Sequence, residues 1–156
     1  MLDIGNYDEI RSRGELLYGT LNTIYCPYFK DHVGFNSQGY EHLIFKRREE
    51  KRDVKDQFMR FKLLHLVPLV LGATSTLQGI WKTKHFEKVR VSSRNDVLLK
   101  DIVYYEFISV TEGKRIKIIV KEVERGPKIF WSIIPYWKKG RNNPERKMYD
   151  GRPDED

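Results

Sequence analysis

The last third of the chain limits its fold more than any other part. Ile102 to Thr111, Arg115 to Glu124 and Lys128 to Ile134 are three consecutive runs rich in β-branched and aromatic residues. Glu112-Gly113 and Arg125-Gly126-Pro127 separate them, and both are turn chemistry. Two linked hairpins make an antiparallel meander. Side chains alternate across a strand, so Ile116, Ile118 and Val120 point one way while Arg115, Lys117 and Lys121 point the other. The first set can pack against helices; the second puts cations on the opposite face.

Helical patterning lies upstream. Asp8 to Thr23 places Ile10, Leu16, Leu17 and Leu21 at helical spacing, with Gly14 and Gly19 weakening it. His32 to Asn36 reads as a short extended entry, and Asn36 or Ser37 can cap a short helix carrying Tyr40 to Phe45. Helix or strand, His42 and Lys46 then share a face. Lys46 to Lys55 mixes both charge signs without apolar spacing and predicts an exposed, mobile connection. Asp53 to Leu71 predicts one long helix, kinked or broken at Pro68. Residues 72–100 predict a long connection with a little strand around Val89 to Val91. The whole reads as a single domain over residues 1–139, followed by a disordered tail over 140–156 rich in Gly, Asn, Pro and charge.

Charge narrows the partner. Between Lys114 and Arg141 nine basic residues stand against two acids, an excess equal to the +7 of the whole chain. A localised excess of this kind fits a polyanion. The single cysteine, Cys26, permits neither an internal disulfide nor a cysteine-rich zinc site, and reads as a small buried residue before Pro27. Met1-Leu2-Asp3-Ile4-Gly5 has neither a basic start nor an apolar run, and Leu63 to Ala73 is about half a membrane span. No membrane role and a cytoplasmic location are expected.

Four histidines are available for proton transfer. His65 falls in the apolar helical stripe and reads as packed or hydrogen-bonded; His32 and His85 read as surface histidines. His42 differs because Lys46, Arg47 and Arg48 are local. An imidazole titrating near neutral pH among fixed cations suits phosphodiester chemistry, although a structural role stays open. There is no His-x-x-x-His pair, phosphate-binding loop, dinucleotide fingerprint or Gly-x-Ser-x-Gly elbow, so neither metal nor cofactor is expected. Trp131, Tyr136 and Trp137 sit among lysines and could stack bases, or Trp131 could simply fill one side of the sheet.

The Cys26-Pro27 entry, Val33-x-Phe35, Gly39-x-x-His42-Leu43 and Lys46 form a pattern in fixed order. Gln57-x-x-Arg60 before Leu63-Leu64, and a closing Ile129-Phe130-Trp131-Ser132 strand, extend it. Together they resemble phage-associated nucleases of the barnase/EndoU/colicin/RelE-like class over about Tyr25 to Trp137. The resemblance implies an α+β fold, with N-terminal helices packed on a C-terminal antiparallel four-stranded sheet. It implies a metal-independent endoribonuclease, often a toxin. His42 would then transfer protons and Lys46 would contact phosphate, with Arg115, Lys117 and Ser132 lining the cleft. Arg47, Arg60, Lys121, Trp131 and Trp137 are the expected nucleic-acid contacts.

On that reading a ribose 2′-hydroxyl attacks the adjacent phosphorus, giving a 2′,3′-cyclic phosphate and a 5′-hydroxyl. The expected partner is RNA, with tRNA among the candidates, and an acidic antitoxin or immunity protein could cover the cleft. The competing expectation is a non-catalytic nucleic-acid-binding module using the same basic sheet face.

Overall fold

The computed structural model describes residues 6–47, 49–91, 94–135 and 152–156. The first helix, α1 (Tyr7–Thr20), carries Asp8 and Glu9 in its first turn, where carboxylates offset the positive end of the helix dipole. Gly14 is buried where α1 meets the third helix, and a Cβ there would lie 2.6 Å from Phe61 Cδ1. The glycine that weakens the helix locally therefore permits its packing.

Two short strands follow, β1 (Thr23–Cys26) and β2 (Asp31–Gly34), paired antiparallel. Helix α2 (Ser37–Ile44) is capped by Asn36, whose side chain accepts from the Gly39 backbone N–H. The charged stretch after it is ordered: β3 (Phe45–Arg47) and β4 (Glu50–Lys51) form a two-stranded hairpin instead of a mobile connection. The Arg52 backbone N–H donates to the Ile44 carbonyl at 2.8 Å and closes it. Asp53 then caps α3 (Val54–Leu63) by accepting from the Asp56 N–H. The long helix expected to Leu71, kinked or broken at Pro68, is divided before that proline. A 3₁₀ turn (Leu64–Leu66) intervenes, and Pro68 sits in the first turn of α4 (Val67–Leu71), where its missing N–H costs no bond.

The main correction concerns the sheet, which has six strands rather than four. Its order is β1-β2-β8-β7-β6-β5, with β5 (Gly79–Val91), β6 (Arg94–Thr111), β7 (Lys114–Val123) and β8 (Lys128–Pro135). All pairings are antiparallel except β2 with β8. The three-strand meander is present, and its turns carry positive φ at Glu112, Gly113, Glu124 and Arg125, as tight hairpins with this twist require. The expected long connection over 72–100 is instead mostly β5 and the first part of β6.

Alternation on β7 divides the interior. Ile116, Ile118 and Val120 join Leu43, Phe61, Leu64, Leu71 and Phe130 in the helix-side core, where Cys26 is also fully buried. Ile119 faces the other way, in a smaller cluster with Ile102, Tyr104, Trp81 and Trp131. Of the expected disordered tail, residues 140–151 lie outside the described residues, as do Tyr136 and Trp137. Residues 152–156 are placed against the domain, with Asp156 buried. Among the described residues no helix is long and apolar enough to cross a membrane.

Candidate functional site

Gly39 sets the position of His42. A Cβ at Gly39 would come within 2.3 Å of the Phe130 carbonyl oxygen and 2.7 Å of the Tyr18 hydroxyl. Only glycine lets α2 approach β8 this closely. One turn later the His42 imidazole lies against the Trp131 indole, with centroids 4.1 Å apart and planes 20° from parallel. Trp131 reaches out of β8 at a register shift opposite Ile119 and Val120. Such a bulge re-aims a side chain out of the normal alternation.

Arg52 fixes His42 from the other side. Its Nε donates to the His42 carbonyl at 2.9 Å, and its Nη2 donates to the ring Nε2 at 2.9 Å. Guanidinium only donates, so Nε2 is the acceptor and the ring proton lies on Nδ1. Burial drives the His42 pKa well below its ordinary value, and the charges of Arg52, Arg60 and Lys121 push it the same way. A backbone hydrogen bond with Asp156 opposes them. His42 is therefore neutral at pH 7.

A cleft of about 770 Å³ opens beside this pair, within the size range that holds a nucleotide-sized ligand. His42, Lys46, Arg47, His85, Tyr104, Lys121 and Trp131 are among its lining residues. The Lys121 ammonium stands 4.3 Å from the Trp131 ring centroid and pairs with Glu87 at 2.8 Å. Burial raises the Tyr104 pKa, and the negative charges of Asp154 and Glu87 raise it further, so this phenol stays protonated.

Behind the cleft a second set of cations converges. Arg60 is fully buried; its Nε meets Asp56 Oδ1 at 2.5 Å and its Nη1 donates to Ser132 Oγ and to the Asp156 backbone oxygen. Ser132 Oγ donates to that same oxygen at 2.6 Å, and Arg52 Nη2 reaches it at 3.3 Å and the Glu155 carbonyl at 2.9 Å. Burial lowers the pKa of both arginines. The cost of dehydrating two like charges is offset here by Asp56, which contacts both.

The expected residues divide into groups. His42, Lys46, Arg47, Lys121 and Trp131 line one cleft, while Arg60 and Ser132 lie together behind it. Arg115 is exposed near the β6–β7 turn, six residues or about 20 Å of extended strand from Lys121, and does not line the cleft. Lys117 is buried on the cleft side of β7 but meets Glu106 at 3.5 Å and lies short of the cleft. Arg60 is enclosed and meets a backbone oxygen rather than solvent. Trp137 lies outside the described residues. The sequence reading missed Arg52, which looked like one charge in an exposed run, and His85, which it placed on a surface connection. Burial alternates along β5, with Trp81, Thr83, His85 and Glu87 turned inward and Ile80, Lys82, Lys84 and Phe86 outward. That period of two was the available signal, hidden because the inward residues are largely polar.

Among the described residues no group of three or more His, Cys, Asp or Glu side chains is placed to hold a metal ion. Comparison with models of known families, with curated proteins and with solved structures finds no match for this chain.

Proposed function

We propose that the chain is an endoribonuclease that cleaves RNA without a metal, through attack of a ribose 2′-hydroxyl on the neighbouring phosphorus. The observation that carries this reading is the convergence of His42 from α2 and His85 from β5 on one cleft lined by Lys46, Arg47 and Lys121. Such a reaction needs one group to accept a proton, another to give one, and fixed positive charge for the phosphorane-like transition state.

The roles follow from environment. His42 is held neutral, so it accepts the 2′ proton on Nε2 once Arg52 is drawn on to the phosphate. The O2′–P bond forms as the P–O5′ bond breaks, and His85 Nε2–H gives its proton to the departing O5′. Lys121, Lys46 and Arg52 offset the charge on the non-bridging oxygens, and Trp131 offers its ring edge to a base. The products are a 2′,3′-cyclic phosphate and a 5′-hydroxyl. The resemblance noted in the sequence points to the same chemistry and to a toxin-like role with an acidic inhibitor.

One observation favours binding without cleavage: the His42 Nε2 lone pair is already taken by Arg52. Incubating RNA with purified protein in EDTA separates the two readings. Cleavage by the wild type, reduced about 10²–10⁴-fold in His85→Ala and in His42→Ala, is the expected result. Intact RNA with retained, salt-sensitive binding identifies a binding module.

A further inference from the structure

The described residues include an acidic segment lying across the cleft. Asp154 and Glu155 both line it, and Asp156 is buried behind them. The Trp131 indole N–H donates to the Asp154 carbonyl at 3.3 Å, and Arg47 Nε meets Glu155 Oε1 at 3.2 Å. Asp154 Oδ2 stands 3.4 Å from His85 Nε2, and the Asp156 backbone oxygen receives Arg60, Ser132 and Arg52. Oxygens of this segment thus meet Arg52, His85 and Trp131, three of the groups that the proposed reaction sets against the strand, while Lys121 pairs with Glu87.

The fit is nonetheless incomplete. Arg60 Nη2 and His85 Nε2 are both buried without an aligned hydrogen-bond partner among the described residues. Leaving a buried donor unmade costs about 1–3 kcal/mol, and more when it is charged. A peptide segment offers one backbone oxygen per residue, whereas a phosphate offers two non-bridging oxygens to a pair of guanidiniums. The two unmet nitrogens are what an occupant with more acceptor oxygens would satisfy.

We propose that Arg52, Arg60 and Ser132 form a binding site for a phosphate group of the RNA strand, and that residues 152–156 fill it as a tethered competitor in the resting protein. This rests on the ribonuclease reading for the identity of the strand, but the self-occupied site stands on its own contacts. RNA enters only from the state in which the segment has left, so apparent affinity is reduced by the fraction of molecules in that state. Releasing the segment raises affinity without touching any residue that binds the strand.

The test uses the full chain carrying Asp154→Ala and Glu155→Ala, with a fluorescent all-2′-deoxy oligonucleotide as an uncleavable probe. Asp8→Asn with Glu9→Gln, on the exposed start of α1, makes the same change in net charge elsewhere. The release variant is expected to bind the oligonucleotide about tenfold more tightly than wild type, the control less than twofold. Inorganic phosphate, titrated by calorimetry, should show the same gain, and adding Ser132→Ala to the release variant should remove most of it. A synthetic peptide of residues 152–156 should compete with the probe on the release variant. An affinity gain no larger than the control's, or a peptide that does not compete, overturns the proposal. If the release variant binds more tightly yet leaves RNA whole, the nuclease reading fails and the occupied site survives. If wild type cuts RNA and the release variant cuts and binds equally well, the reverse holds.

Discussion

The two faces of β7 use the same backbone for opposite purposes. On one, Ile116, Ile118 and Val120 are packed at zero to one per cent exposure among aromatic and aliphatic side chains from the helices. On the other, Lys117 and Lys121 are almost as buried, but each is matched with a carboxylate, Glu106 on the adjacent β6 and Glu87 on β5 beyond it. The apolar face stabilises the domain by removing surface from water. The polar face contributes little net stability, because dehydrating a charge offsets most of what its pairing returns. The difference also shows why an excess of basic residues is a poor measure of available charge, since Lys128 too is paired, with Glu122 at 2.9 Å.

Substitutions can break this contrast in graded ways. Phe130→Ala removes an aromatic ring from the helix-side core, where Phe35 stacks on it at 5.3 Å. It should cost about 3–5 kcal/mol by urea unfolding. Gly39→Ala forces α2 away from the Phe130 carbonyl and should cost about 1–3 kcal/mol. It should also alter Trp131 fluorescence, because His42 moves with the helix; an unchanged spectrum would separate the two. Lys121→Met leaves Glu87 without its partner and should cost about 1–3 kcal/mol. Adding Glu87→Leu should recover most of that loss, which no residue of the opposite face could do.

Acidification sharpens the same contrast. His42 is held neutral in the folded protein by burial and by Arg52, Arg60 and Lys121, whereas in the unfolded chain it titrates at its ordinary value. Below pH about 6.5 the unfolded state therefore binds the extra proton, and stability falls as pH drops. The loss attributable to this one group is at most about 1.4 kcal/mol per pH unit, and it is absent above pH 7. His42→Gln should flatten that part of the pH profile in thermal unfolding. At the far end, Val110→Thr on exposed β6 should change stability by less than about 0.5 kcal/mol.

The meander was legible because β-branched and aromatic residues fill its three strands and Gly113 and Gly126-Pro127 mark its turns, although burial on β7 is continuous from Ile116 to Glu122. Helix α2 was legible from its cap, Asn36. Of strand β5 only Val89 to Val91 was, because before them its pattern is inverted: Thr83, His85 and Glu87 turn inward while Ile80 and Phe86 remain exposed. A strand whose inner face is largely polar loses the signature by which strands are found. The same reason hid half of the site. His42 stood out through its local cations, but Arg52 owes its burial to the β3–β4 hairpin and to contacts 103 and 104 residues away along the chain. No local pattern encodes such contacts.

The most direct measurement is to identify the ends of an RNA oligonucleotide incubated with wild-type protein in EDTA, beside the same oligonucleotide carrying one 2′-deoxyribose at the cut position. A 2′,3′-cyclic phosphate and a 5′-hydroxyl are expected from the first, with no cut at the substituted position in the second. Efficient cutting at the 2′-deoxy position, or products bearing a 5′-phosphate, would contradict attack by the ribose hydroxyl and with it the roles given to His42 and His85.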